Sequence, residues 1–180
     1  MRIITGIARG IRLETVAGDN LVRPTSEKVK EALFSALQFD LEGRRILDLF
    51  AGSGQLGLES LSRGACSATF VDGSEVSLSV VRRNAERCRL TSLCEFIRSD
   101  YRVFLSGCRK QFDIAFLDPP YGGGILQQAL PLVADVMSEA GLIVCEHPVT
   151  EELPEVCEDF AVVKRYRYRK IGITLYRRQA

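Results

Sequence analysis

Four consecutive residues, Asp118-Pro119-Pro120-Tyr121, carry the most specific chemistry in the sequence, and they follow directly on the apolar run Phe112-Asp113-Ile114-Ala115-Phe116-Leu117. They belong to the [Asp/Asn/Ser]-Pro-Pro-[Tyr/Phe/Trp] class. An exocyclic amino group on a base is a poor nucleophile because its lone pair is delocalised into the ring. A carboxylate and a main-chain carbonyl that accept its two N–H bonds pull the nitrogen toward tetrahedral geometry and free that lone pair. The prolines have no N–H to compete and hold the carbonyl rigidly, while Tyr121 offers a face for stacking an extruded base. Asp118 can also take up the surplus proton once the amine is alkylated. The bland alternative is a plain turn after a strand.

A second cluster lies upstream. Ala51-Gly52-Ser53-Gly54-Gln55-Leu56-Gly57 is a literal G-x-G-x-x-G opening a helix, and Asp72 stands twenty positions beyond Gly52. Glycine keeps the turn open to a ligand, and a carboxylate ending the next strand can accept bonds from two ribose hydroxyls. Those residues imply adenosine binding and leave NAD and S-adenosylmethionine both open. Asp48 favours the second. It sits inside an otherwise apolar strand, where an unpaired carboxylate costs several kcal/mol. A cationic methionine amino group would partner it, whereas a pyrophosphate would be repelled; pairing with an arginine or with backbone amides is the alternative. Asp100, at the end of a third strand, can accept the adenine amino group, although Ser-Asp is also a common helix cap. Phe50, Ser53, Gly73, Ser74 and Tyr101 flank these groups and complete the candidate cofactor set. The expected reaction is in-line displacement at a sulfonium methyl group, for which positioning is the main task and no metal is needed.

The elements that must position these residues alternate short apolar runs with helical patterns from about residue 44 onward, which is the rhythm of an α/β fold with a mainly parallel sheet. Strands are expected at 44–50, 68–72, 95–98, 112–117 and 141–146. Helices are expected over 75–88, with Val76, Val80, Val81 and Asn84 on one face, and over 125–137, with Leu126, Ala129, Leu130 and Val133 on one face. Ahead of the sheet, Val29, Ala32, Leu33, Ala36 and Leu37 form an apolar stripe that Pro24, Thr25 and Ser26 are placed to start. Residues 1–22 read as a short strand pair or extended arm, leaving 23–180 as one domain. Phe160-Ala161-Val162-Val163 and Ile171-Gly172-Ile173-Thr174-Leu175-Tyr176 predict a closing hairpin that adds antiparallel strands.

The 180 residues and 46% hydrophobic content fit one compact domain. No apolar run approaches the ~20 residues of a membrane span, and the start lacks the pattern of a signal peptide, so a cytoplasmic location is expected. The formal net charge of +1 conceals a polarity. Residues 1–45 hold 8 basic and 6 acidic side chains, residues 46–163 hold 9 and 17, and residues 164–180 hold 7 and none. Lys164-Arg165-Tyr166-Arg167-Tyr168-Arg169-Lys170 interleaves cations with aromatics, as phosphate contact and base stacking require. Arg2, Arg9, Arg12 and Arg23 add to the amino-terminal side, and with Arg165 and Arg167 they are the candidate RNA contacts. Two packed tyrosines on a solvated hairpin are the alternative. The six cysteines form no C-x-x-C pair, and with His147 as the single histidine they read as reduced packing residues rather than metal ligands.

Several of these segments resemble class I S-adenosylmethionine-dependent methyltransferases, specifically the bacterial 16S ribosomal RNA guanine-N2 methyltransferase (RsmD-like) family. They are Arg2-Ile3-Ile4-Thr5-Gly6 with Arg9-Gly10 and Leu13, Arg23-Pro24-Thr25 leading to Val29-Lys30-Glu31-Ala32-Leu33-Phe34, Leu47 to Gly54 with Gly57-Leu58-Glu59, Ser62-Arg63-Gly64-Ala65, and Asp118-Pro119-Pro120-Tyr121. The resemblance covers nearly the whole chain. It implies a Rossmann-like, mostly parallel seven-stranded sheet with a reversed last strand and helices on both faces, acting on 16S ribosomal RNA, naked or in an assembling small subunit. A monomer is the default expectation for an enzyme that must dock on something large. In such enzymes the motif of Asp48, Gly52 and Gly54 holds the methionine part, the acid at Asp72 the ribose and Asp100 the adenine. The sequence departs from the family in having Asp72-Gly73-Ser74 where glutamate and a bulkier residue are more usual. A DNA adenine-N6 methyltransferase shares the Asp-Pro-Pro-Tyr chemistry but usually carries a target-recognition region that 180 residues leave little room for. An NAD-dependent oxidoreductase accounts for the glycine loop alone.

Overall fold

The computed structural model describes residues 1–16 and 27–179. Arg23, Pro24, Thr25 and Ser26 lie outside the described residues. Eight strands form one sheet: β1 (Arg45–Asp48), β2 (Ser67–Asp72), β3 (Cys94–Arg98), β4 (Phe112–Leu117), β5 (Met137–Pro148), β6 (Val156–Cys157), β7 (Phe160–Tyr168) and β8 (Ile171–Arg178). The helices are α1 (Glu27–Ala36), α2 (Gln55–Ser62), α3 (Glu75–Cys88), α4 (Tyr101–Gly107) and α5 (Ile125–Ala134).

The strand order is β3-β2-β1-β4-β5-β8-β7-β6. β1 to β5 pair in parallel, and β8 enters antiparallel between β5 and β7. The chain therefore has the mostly parallel sheet with a reversed last strand, but with eight strands rather than seven. The extra one is β6, two residues that pair only with the start of β7 and are too short to register as an alternating pattern in sequence.

Alternation along each strand divides the apolar residues between two layers. Ile46, Phe70, Ile114, Phe116, Leu142 and Val144 join α1, α2 and α3 on one face. Leu47, Val71, Ala115, Leu117, Ile143 and Cys145 join α4 and α5 on the other. The crossover helices thus cover both faces, which explains why the central strands read as continuous apolar runs.

Three details differ from the sequence pattern. Val76 is 62% exposed although it sits in the apolar register of α3, because the first turn of that helix stands beyond the carboxyl edge of the sheet. α5 ends at Ala134 rather than 137, since Met137 is already paired with Phe112 at the start of β5. In α1 the buried face comprises Val29, Lys30, Leu33 and Phe34, shifted from the expected stripe, and Ala36 is exposed.

Lys30 accounts for that shift. It is fully buried, with its ammonium 3.2 Å from Glu59 Oε2, and burial holds its pKa below the usual lysine range. Glu59, itself fully buried in α2, also accepts from Arg63 Nε at 2.8 Å and from the backbone N–H groups of Ile4 and Thr5 at 2.8 and 3.0 Å. The amino-terminal segment forms a tight hairpin closed by an antiparallel bridge between Arg2 and Arg12, and Glu59 clamps it to the body. At its tip, Gly6 approaches so closely that a Cβ there would lie 1.7 Å from Ser62 O. Glycine is the one residue that fits.

Candidate active site

At β1 the chain order reverses, with β2 on one side and β4 on the other, and the carboxyl ends of these strands open a crevice. A cavity of about 500 Å³ occupies it. Of the expected site residues, Asp48, Phe50, Gly52, Ser53, Asp72, Gly73, Ser74, Asp100, Tyr101, Asp118 and Pro120 all line this one cavity. They come from β1, β2, β3 and β4 and from the turns that follow. The sheet thus gathers residues spread over some seventy positions of sequence into a single site.

Gly54 lies beneath the cavity instead of on its wall. Its φ is 77°, and a Cβ would stand 2.6 Å from Val81 Cγ1. Gly57 plays a similar part: a Cβ would meet Phe70 Cε1 at 2.4 Å, so the missing side chain lets α2 press onto β2. The glycine loop is built as much by packing as by ligand access.

Asp48 is 2% exposed, and its Oδ2 accepts from the Gly57 N–H at 3.0 Å. The backbone-amide alternative is thus part of its role, and the carboxyl still lines the cavity. Burial raises its pKa to about 7, opposed by the Gly57 bond and reinforced by the charge of Asp72. Beside it, Gln55 Oε1 is buried with no hydrogen-bond partner among the described residues, and Gln55 also lines the cavity. Buried acceptors on two residues that line one cavity call for donors. Sequence inspection did not single out Gln55, a variable position within the glycine motif whose burial comes from the turn.

Asp72 ties the loops together: Oδ2 accepts from Gly52 N at 3.0 Å and Oδ1 from Ser74 N at 2.8 Å. The shorter acid is therefore held by two amides and fixed at the cavity wall. Ser74 caps α3 through Ser77 N. Asp100 is the N-cap of α4, accepting from Arg102 N at 2.9 Å, so the cap reading holds while the residue also faces the cavity. Phe50 and Tyr101 make a ring contact with centroids 5.3 Å apart, an apolar wall between Asp72 and Asp100.

Asp118 is half-buried at the cavity rim, Pro119 is buried and Tyr121 is 47% exposed. Behind the turn, Pro119, Pro120, Tyr121 and Glu146 close around a gap too small for a water molecule. Burial, with the nearby charges of Glu146 and then Asp118, pushes the Tyr121 hydroxyl up to about 12. It stays protonated at neutral pH. Glu146, 4% exposed at the end of β5, is the other residue that sequence inspection passed over, hidden as the last member of an apolar run.

The basic candidates divide. Arg2 and Arg12 are paired across the amino-terminal hairpin, and Arg2 lies 3.5 Å from Glu27 at the start of α1. Arg9 is exposed at the hairpin tip, next to Ala8, whose N–H donates to Ser62 Oγ at the far end of α2 from the cavity. Arg165 is held by Glu155 and by the Leu153 carbonyl at 3.1 Å. Arg167 is exposed. Tyr166 and Tyr168 stack at 6.3 Å and pack partly on the α1 face, with Lys164 over Tyr166. His147 is buried, donating from Nδ1 to the Pro148 carbonyl at 2.9 Å and accepting at Nε2 from Thr174. No described helix is long and apolar enough to cross a membrane.

A family model described as conserved hypothetical protein 95 matches residues 1–177. The YlbH protein of Bacillus subtilis is 38% identical over 184 aligned residues, covering 99% of this chain and all of the relative. The ribosomal RNA small subunit methyltransferase D of Escherichia coli is 31% identical over 182, covering the whole of this chain and 91% of the relative. Among solved structures, E. coli yhhF superposes with a TM-score of 0.89 at 31% identity, covering 100% of this chain and 98% of that one. The Thermus thermophilus protein TTHA0928 does so with 0.81 at 31% identity, covering 97% and 98%. With nearly its full length matched in sequence and in fold, the chain belongs to the conserved hypothetical protein 95 family, the RsmD family of small-subunit ribosomal RNA methyltransferases.

Proposed function

We propose that this protein transfers the methyl group of S-adenosylmethionine to the exocyclic N2 amino group of a guanine in 16S ribosomal RNA. The observation that carries this reading is the placement of Asp118 and Pro120 on the wall of the same cavity as Asp48, Asp72 and Asp100. The E. coli relative, named a ribosomal RNA small subunit methyltransferase, supports the substrate class.

The cavity suits the cofactor in size and in donor set. Asp48 and Gln55 Oε1 would hold the methionine amino group, and the amides opening α2 suit its carboxylate. Asp72 would accept from the ribose hydroxyls, with Gly73 and Ser74 beside it. Phe50 and Tyr101 would flank the adenine while Asp100 accepts from its amino group. When bound, the cofactor supplies an electrophilic methyl group on a sulfonium.

The protein's own work is to place and deprotonate the amine. Asp118 and the carbonyl in the Pro119-Pro120 turn accept the two N2–H bonds, so the nitrogen lone pair leaves conjugation and points at the methyl carbon. As the N–C bond forms and the S–C bond breaks, the surplus proton passes to Asp118. Tyr121 stacks on the extruded base. Arg2, Arg12 and Arg167 supply exposed cations for phosphate, together with Arg23; Arg9 and Arg165 contribute at most at the periphery, given their positions.

Cofactor binding has a pH signature. Asp48 titrates near 7 in the fold, so it is largely protonated at pH 5.5 and charged at pH 7.5. A cationic amino group binds the charged form, and affinity rises as pH climbs through that window, by about twentyfold. Above ~8 the amino group of the ligand loses its own proton and the gain stops. Isothermal titration is expected to register this rise for S-adenosylmethionine and no binding of NADH, and Asp48→Asn is expected to weaken binding and flatten the profile. NADH binding without S-adenosylmethionine binding would remove the proposed reaction.

A further inference from the structure

We propose that Glu146 selects guanine over adenine by accepting the N1–H of the target base beside Asp118, an inference that rests on the guanine-N2 reading above. β4 and β5 run parallel with Leu117 opposite Cys145, so Asp118, the first residue after β4, and Glu146 of β5 follow directly on that pair, with backbones about 4.8 Å apart. Glu146 is 4% exposed and adjoins the turn of Pro119, Pro120 and Tyr121. Its charge and that of Asp118 both reach the Tyr121 hydroxyl. Two carboxylates therefore stand side by side behind the residue that stacks the base.

A guanine offers this pair a matching row of donors. Its Watson–Crick edge carries N1–H next to the N2 amino group. With N2–H accepted by Asp118, the neighbouring N1–H falls to Glu146. Adenine presents its amino group beside a bare N1, whose lone pair would face the Glu146 carboxylate. That juxtaposition of two lone pairs is repulsive. Asp118 and Glu146 each already have a contact in the structure, and a carboxylate has about four lone-pair sites, so one more N–H is within its capacity.

The discriminating substrate is 2-aminopurine, which keeps the C2 amino group and lacks the N1–H. Small subunits would be assembled on 16S RNA ligated around a synthetic segment carrying guanine or 2-aminopurine at the modified position. Wild-type enzyme is expected to favour guanine by about ten- to a hundredfold in kcat/KM, the range of one hydrogen bond to a charged group. Glu146→Gln can turn its amide NH2 toward a bare N1, and it is expected to reduce that ratio to a few-fold while S-adenosylmethionine binding by titration stays unchanged. Equal wild-type rates on the two substrates would overturn the proposal. So would a Glu146→Gln enzyme that keeps the wild-type ratio. If the variant fails to fold, the wild-type comparison still decides. Absence of N2-methylation on guanine itself would remove the underlying reading, a result distinct from equal use of both bases.

Discussion

Asp118→Ala is expected to lower methyl transfer about a thousandfold or more while S-adenosylmethionine affinity stays within about twofold. The split follows from where the groups stand. The acceptors assigned to the cofactor, Asp48, Asp72 and Asp100, sit on other strands from Asp118, which meets the cavity at its rim. Truncating it removes one of two acceptors for the amine and the destination of the proton. Each of those contributes on the order of a hundredfold. Asp118→Asn keeps an acceptor and loses the base, so an intermediate loss is expected. Single-turnover rates on saturating RNA, with cofactor titration alongside, separate the two effects; near-normal turnover by Asp118→Ala would take that residue out of its role.

Glu59→Ala is the largest expected change in stability. The substitution leaves Lys30 buried without its countercharge and two backbone N–H groups of the amino-terminal hairpin without an acceptor. Breaking one side of a buried ion pair costs about 3–5 kcal/mol, which for a chain of this size lowers Tm on the order of 10 °C. Adding Lys30→Met to that background removes the stranded charge and is expected to recover part of the loss. A Tm for Glu59→Ala within about 2 °C of wild type would contradict the clamp.

The fold was legible where local and tertiary preferences coincide. β4 is an uninterrupted apolar run bounded by turns, and α3 begins at a serine cap and ends where its periodicity does. The cavity residues were legible because a ligand site at the carboxyl edge needs acids and glycines directly after strands, and local sequence displays that. What escaped depends on distant partners. Lys30 looks like a surface lysine until Glu59, in another helix, is placed beside it. Arg165 looks like a phosphate ligand until Glu155 and Leu153 are folded against it. Asp72 and Asp100 look like ligand groups in sequence, yet Asp72 satisfies one amide of its own turn and one of the glycine loop, and Asp100 caps the helix that follows it. Glu146 ends an apolar run within β5, and nothing in its neighbours reveals that this strand lies next to the Asp-Pro-Pro-Tyr turn.

The near-neutral total charge also has a structural counterpart. The acidic middle of the chain lines the cavity with the carboxylates proposed to meet a cationic ligand and a base amino group, while exposed Arg2, Arg12 and Arg167 lie outside it. With a formal net charge of only +1, salt-dependent affinity is expected to be moderate, so that shape recognition of the RNA or its particle adds to charge.

The central claim is tested most directly by the identity of the product. The protein is incubated with methyl-labelled S-adenosylmethionine and either naked 16S RNA or small ribosomal subunits, and the RNA is digested to nucleosides and resolved. Label is expected in N2-methylguanosine. Label in N6-methyladenosine, or none on either substrate from an enzyme that binds the cofactor, would contradict it.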